Sequence, residues 1–444
     1  MGRVGQFFLF RVTVLLVGLI AVAGGAAESG AEDAKASAGP PGAGRNADGL
    51  IASPEPGWPQ WRGPRRDGVS LETGLLTAWP EGGPRVLWKV GGLGQGWSSP
   101  IIVNGRLFVT GDVGDDLVVF ALDLNGQPLW QGKNGAAWQG SYPGARACCV
   151  YAHGRVYHLN AHGRLACWDA ATGDPRWAAD VLERFQAPNI TWAISECLLV
   201  DGRRVIVTPG GPQALLAALD SETGQTIWTS PPLEGEPTSY SSPILFRHAG
   251  RRLIANCSAG HGFGVDADDG RRLWTVPLRN RFETNVSTPV YGDGQIFYVT
   301  PYAEQGRAYR LETDGRDIRP QQVWDAPLDT VTGSGVLVDQ TLFTAGYRQD
   351  KFWFAVDWPS GQTRHELKEF TTGAAVFADG RLYIFDEKGT AGLVRPAERG
   401  LEVAGRLQLV ADRVRDAWAH PVLLDGRLYL RYHDTLWCLD VRGR

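Results

Sequence analysis

Six cysteines occur in this chain, and two of them, Cys148 and Cys149, are adjacent in the stretch "GARACCVYAHGRVY". Paired thiols are either a redox element or two small residues of a core. Consecutive Cα atoms lie about 3.8 Å apart across a trans peptide, short of the roughly 4.4–6.8 Å of relaxed disulfides, so a ring closed between them is strained and easily reduced. In a regular strand, successive side chains point to opposite faces, which keeps the two thiols apart and free. Both readings stay open until the pair is placed in a fold.

Other residue types with chemistry to offer are sparse. The eight histidines show no metal-ligand spacing, and there is no C-x-x-C-H for a c-type haem. Met1 is the sole methionine, so a mature chain has no thioether ligand. "DADDG" at Asp266–Gly270 mimics the start of a calcium loop, but its twelfth position is Pro277, where a glutamate is needed. The triplets "NIT", "NVS" and "NCS" match glycosylation acceptors but recur as ordinary strand sequence. With 43% hydrophobic and 21% charged residues, net charge −4 and no basic block, nucleic acid is excluded as a partner.

The N-terminal segment predicts export. Arg3 and Arg11 accompany the apolar run "VTVLLVGLIAVA", and small residues come next in "AVAGGAAES". This reads as a signal peptide over residues 1–27, cleaved after Ala23 or Ala27, because the run is shorter than the roughly 20 residues of a spanning helix. No cysteine precedes Cys148, which excludes a lipid anchor, and no later segment reads as a membrane span. Residues 28–56 are Ala-, Gly- and Pro-rich and read as a disordered linker; residues 57–84 read as an N-terminal extension packed on the repeats of the remaining chain.

From residue 85 onward the chain repeats itself. Units end at Trp130, Trp177, Trp228, Trp274 and Trp324, then near His365 and Val403, and a last unit, "AHPVLLDGRLYLRYHDTLWCLDVRGR", stops after three strands. Each unit reads as an apolar strand, a D-G or N-G hairpin, a second strand, a third strand ending in A-x-D, a T-G turn and a fourth strand carrying the Trp. One such sheet cannot bury both faces alone, so units must stack radially. An orphan strand, "RVLWKV" with Trp88, precedes the first unit and completes the last. The prediction is an all-β, eight-bladed β-propeller of four-stranded antiparallel blades over residues 85–444, closed by that N-terminal strand.

The A-x-D-x-x-T-G-x-x-x-W pattern, as in "ALDSETGQTIW" and "CWDAATGDPRW", resembles the tryptophan-docking repeat of pyrroloquinoline-quinone (PQQ) propellers. That superfamily includes quinoprotein alcohol dehydrogenases and non-enzymatic BamB-like assembly propellers. The opener "WPQWRGPRRDG" is similar to exported PQQ-like repeat proteins. The resemblance implies the fold strongly and an activity weakly. It also implies one setting for the paired cysteines, since some of the quinoprotein dehydrogenases hold an adjacent-cysteine disulfide over the cofactor.

Aligning the first strands on their hairpins puts Cys148 with Ser99, Glu196, Ser242, Thr288, Ser334 and His420, and Cys149 with Pro100, Cys197, Pro243, Pro289 and Pro421. First strands line a propeller's axis, so the first column rims a central funnel, with Arg146, Trp97, Tyr240, Asn285, Trp418 and Trp192 just before it. Arg146, Cys148, Cys149, Trp192, Glu196, Tyr240, Asn285 and His420 are therefore the candidate ligand-binding residues, with no catalytic or metal residue assigned. Cys167 and Cys438 take the small-residue place of Ala121, Ala218 and Ala355, and Cys257 sits in a second strand, so only Cys148 and Cys149 are expected to be able to pair. Free thiols are favoured, because nothing else in the funnel demands a redox partner.

The function expected is an exported, non-enzymatic binding or scaffold module, with envelope protein assembly as the setting the resemblance implies. Its partner is a protein or small ligand at the funnel, and no cofactor is expected. The alternative implied is a PQQ- and calcium-dependent alcohol dehydrogenase. For it the funnel offers Glu196 and Asn285, with Glu283 or Asn189 as additional candidates, a thin set of cation ligands and base.

Overall fold

The computed structural model describes residues 49–302, 305–348 and 350–443. The expected signal peptide, and the linker as far as residue 48, lie outside the described residues. Eight antiparallel sheets succeed one another in chain order around a ring: blade 1 (101–136), blade 2 (150–180), blade 3 (199–229), blade 4 (244–277), blade 5 (290–326), blade 6 (336–367), blade 7 (373–408) and blade 8 (422–440). Blade 8 takes its fourth strand from Arg85–Val90, antiparallel to Thr435–Asp440 with Trp88 opposite Cys438. This is the all-β, eight-bladed propeller that the repeat predicts, with the predicted closure.

Burial explains the strand order within a blade. In blade 1 the first strand, Ile101–Val103, is buried throughout, while the fourth, Pro128–Ala136, is largely exposed at the rim. Blades are joined by a recurring contact. It is clearest between blades 2 and 3, where the Trp177 indole N–H donates to the Ser221 carbonyl at 3.0 Å. Its ring lies over Gly224, where an added Cβ would stand 2.6 Å from it. Trp130 meets Gly173 in the same way, Trp228 meets Gly270 and Trp324 meets Gly361. The aspartate before each turn caps it, as when Asp220 accepts from the Glu222 and Thr223 N–H groups. Blade 8 docks on blade 1 through Trp88 and Gly126, and there the fully buried Arg431 donates to the carbonyls of Ser98 and Gly94.

The segment before the ring is ordered where it is described. Gly49–Leu50, at the end of the expected linker, adds a fifth strand to blade 4 beside Ile244–His248. The linker reading is thereby corrected for residues 49–56: Leu50 packs against the core of blades 4 and 5, so an Ala- and Gly-rich composition did not prevent pairing. The residues after it cross the inside of the ring. Trp58 exchanges two backbone hydrogen bonds with Ile102 of blade 1, Pro59 accepts from Tyr151 of blade 2, and Gly68 accepts from Phe377 of blade 7. Arg62 donates to the carbonyls of Ser334 and Gly335, and Arg66 to those of Cys197 and Leu198. Both guanidiniums are buried, which lowers their pKa values to about 10 and still leaves them charged.

The indole contact generates a matched pair of tests. Gly224 has φ +69° and an indole against it, whereas Gly105 has φ +72° with nothing within 4 Å of an added Cβ. Gly105→Ala should cost only the left-handed strain, about 1 kcal/mol, and Gly224→Ala about 2–4 kcal/mol, because the ring must also move. Urea melts of the two variants check this, and equal losses would mean that the indole contact is loose.

Candidate functional site

At most blade junctions the residue two before the first strand links neighbouring blades on the inner side of the ring. The N–H of His420 donates to Ser99 Oγ at 2.7 Å, and that of Ser99 to Cys148 Sγ at 3.1 Å. The N–H of Cys148 donates to Cys197 Sγ at 3.2 Å, and that of Cys197 to Ser242 Oγ at 2.9 Å. Thr288 and Ser334 repeat the contact at 3.0 Å. Along this column the entry side chain of one blade accepts from the backbone of its neighbour.

This chain of contacts corrects one column of the sequence alignment. Cys197, not Glu196, is the equivalent of Cys148 in blade 3. Most hairpins between first and second strands have positive φ at both central residues, such as Asn104 and Gly105 or His153 and Gly154. In blade 3 the pairing of Asp201 with Arg204 makes Gly202 and Arg203 the central residues, and only Gly202 has positive φ. That is the pattern of a Gly-X turn, in which glycine comes first. Aligning Asp201-Gly202 with Asn104-Gly105 therefore shifts blade 3 by one residue, and a one-residue slip exchanges the faces of a strand.

Glu196 accordingly turns away from the funnel. Its oxygens accept from the Thr208 N–H and hydroxyl, both at 2.8 Å, and it is fully buried. Burial pushes its carboxyl up to about 8, with the Thr208 bonds and Arg66 pulling back only in part. Asn285 is also buried, donating to the carbonyls of Ser258 and Ala259, and does not reach the funnel. Cys149 lies in the apolar core between blades 1 and 2. Asn189 staples its own loop, accepting from Ile190 and donating to Ala161.

The other five candidates do meet. Arg146, Cys148, Trp192, Tyr240 and His420 line a single cavity of about 240 Å³ with Trp61, Trp97, Tyr142, Cys197, Tyr302, Tyr347 and Trp418. Its walls are paired rings: Trp97 stacks on Trp418 at 5.2 Å, Trp192 meets Tyr240 at 5.9 Å and Tyr302 meets Tyr347 at 6.0 Å. Arg146 lies against the rings of Trp97 and Trp138 and donates to the carbonyls of Trp192, Gly144, Ser141 and Tyr142. It is a staple of the wall rather than an open anion receptor. His420 hydrogen-bonds the Thr332 carbonyl through Nε2 at 3.0 Å, which assigns the proton to Nε2. Burial, and then Arg62, lower its pKa to about 3, so the imidazole stays neutral and is a poor base at neutral pH. No Asp or Glu lines the cavity among the described residues.

Sequence reasoning missed Trp61, Tyr142, Tyr302, Tyr347 and the true place of Cys197. Trp61 belongs to the opener "WPQWRGPRRDG", which no periodicity ties to the funnel. The three tyrosines lie on loops outside the repeat, where column alignment has no purchase.

Comparison with known proteins agrees with the fold. Residues 115–365, more than half of the chain, match the family model described as outer membrane protein assembly factor BamB. The chain belongs to this BamB-like family of PQQ-like repeat proteins. Two curated relatives stand beside this BamB-like propeller. Outer membrane protein assembly factor BamB of Shewanella oneidensis is 25% identical over 256 residues, covering 54% of this chain and 58% of that protein. Quinohemoprotein alcohol dehydrogenase ADH-IIG of Pseudomonas putida is 30% identical over 172 residues, 34% of this chain and only 23% of that enzyme. The chain thus spans less than two thirds of the length of either curated relative. Among solved structures, BamB of Moraxella catarrhalis superposes with TM-score 0.59 at 15% identity, over 80% of this chain and 99% of that one. Quinohemoprotein alcohol dehydrogenase of Comamonas testosteroni gives 0.62 at 14% identity, over 88% and 82%. At such identities the structures share the fold.

The buried carboxyl makes stability depend on pH. A group whose folded pKa, about 8, exceeds its ordinary 4.5 supports the fold fully below the lower value, and the support is lost as pH rises through the higher one. Glu196→Gln removes the charge: its amide oxygen can still accept from the Thr208 N–H, while its amide N–H donates to the Thr208 hydroxyl oxygen. Its melting temperature should fall less than the parent's between about pH 5 and 8, and should exceed the parent's near pH 8. Parallel curves would place the charge elsewhere.

Proposed function

We propose that this BamB-like propeller is an exported binding module whose aromatic funnel receives an uncharged small ligand or an apolar side chain of a partner protein. The observation that carries this reading is the funnel's lining: paired Trp and Tyr rings, scattered hydroxyls and no carboxylate among the described residues. Such rings offer large, rigid contact area at low entropic cost. The family's BamB members are named for outer membrane protein assembly, which makes a protein partner in the cell envelope the favoured occupant. No helix of the described residues is long and apolar enough to cross a membrane.

The donor set does not suit a calcium–quinone pair. Calcium takes six to eight oxygen ligands, usually including carboxylates, and alcohol oxidation needs a base beside the substrate. Glu196 and Asn285 are spent on Thr208 and on the Ser258 and Ala259 carbonyls. The neutral, weakly basic His420 does not replace them.

Two measurements test the reading together. Titration with PQQ and calcium should give no stoichiometric complex and no dye-linked alcohol oxidation. A photo-crosslinking residue at Tyr142, half exposed at the funnel mouth, should capture an envelope protein or small molecule in producing cells, and Trp418→Ala should abolish the capture. Tight one-to-one quinone binding, or capture that is indifferent to Trp418, would overturn the proposal.

A further inference from the structure

Two thiols meet at the floor of the funnel, and they come from different blades. Cys148 enters blade 2 and Cys197 enters blade 3; with Ala147 they form a small buried cluster against Trp61. Besides the bond from the Cys148 N–H to Cys197 Sγ, the two side chains hydrogen-bond each other. Both also line the cavity. Cys149, Cys167, Cys257 and Cys438 are buried among apolar side chains of four separate clusters.

The fold does not itself ask for sulfur at these two places. Ser99, Ser242 and Ser334 perform the same task, accepting the neighbouring blade's N–H, with a hydroxyl oxygen. Sulfur is the weaker acceptor. It replaces oxygen in two successive blades, and those are the two whose side chains touch.

The surroundings also make the two thiols unequal. Burial raises both, and the neighbouring Cys197 raises Cys148 further. At Cys197 burial is outweighed by the contacts from Cys148, its side chain and then its N–H, and by the Arg66 guanidinium, so the net shift is downward. Arg66 donates to the Cys197 carbonyl at 2.7 Å, which fixes that positive charge beside this residue. A thiolate beside a guanidinium is the usual setting of a reactive cysteine.

We propose that Cys148 and Cys197 form an inter-blade dithiol–disulfide couple that exchanges with small disulfides entering the funnel. Cys197 loses its proton and its thiolate attacks one sulfur of the incoming disulfide RSSR. The S–S bond breaks, and the departing RS⁻ takes up a proton as RSH. Cys148 then loses its proton and attacks Cys197 Sγ in the mixed disulfide, expelling the second RS⁻, which is likewise protonated. The chain gives up two electrons and two protons, and RSSR becomes two RSH. The product ties the inner strands of blades 2 and 3 together at the base of the aromatic walls.

The test uses the folded full chain, fully reduced, and 5,5′-dithiobis(2-nitrobenzoate) as the disulfide. About two equivalents of thionitrobenzoate should be released per chain with no adduct retained, and the intact mass should fall by about 2 Da. Tryptic mapping should link the peptide 147–155 to the peptide 185–203. Cys149→Ser should leave this unchanged, whereas Cys148→Ser should stop at a stable mixed disulfide on Cys197. Cys197→Ser should slow the first release about tenfold. A loop confined to peptide 147–155 would mean that Cys148 pairs with Cys149 and would overturn the proposal. So would no reaction in the folded protein, or two retained adducts. Should a serine variant fail to fold, the cross-link map of the parent chain decides alone.

Discussion

The propeller rests on one contact repeated between blades: an indole from a fourth strand laid over the glycine of the next blade's turn. The Asp–Thr–Gly turn is built locally, since aspartate oxygens hold its N–H groups and glycine takes the positive φ. That leaves a flat, Cβ-free surface and a free carbonyl, and Trp130, Trp177 and Trp324 each fill both, as with the Trp324 N–H on the Trp358 carbonyl at 2.7 Å. Where the pattern lapses, in blade 7, rings meet strand glycines instead: Gly392 faces Phe370, and Gly405 faces Trp79 from the N-terminal extension.

The contrast between rim and funnel explains what the sequence could and could not tell. Rim contacts are made by residues inside the repeat, so the blade count, the closing strand and the docking tryptophans were all legible from spacing. The funnel is made by what interrupts the repeat. Tyr142, Tyr302 and Tyr347 lie in loops, and Trp61 in a segment before the ring, where periodicity carries no information. Glu196 shows a subtler limit: Asp201-Gly202 looks like its neighbours' hairpins, but glycine leads that turn rather than coming second in it. One misread turn moved a carboxylate into the funnel and a thiol out of it.

The corrected register changes the character of the site. With Glu196 against Thr208 and Asn285 against the Ser258 and Ala259 carbonyls, polar groups that would have been site chemistry become internal bracing. The funnel keeps rings and hydroxyls at its walls and sulfur at its floor. This is how one fold hosts both enzymes and binding modules: the same column positions point inward, and function depends on which residues occupy them.

The segment crossing the inside of the ring has a consequence for the order of assembly. Arg62 and Arg66 find their carbonyl partners 272 and 131 residues further along the chain, in blades 6 and 3. Those carbonyls converge only when the intervening blades have stacked, and contacts of such separation must wait for the loops between them to close. Arg85–Val90 likewise waits for Thr435–Asp440. These residues, which precede the blades in the chain, are thus among the last to find their places, and until they do, blade 8 carries an open edge.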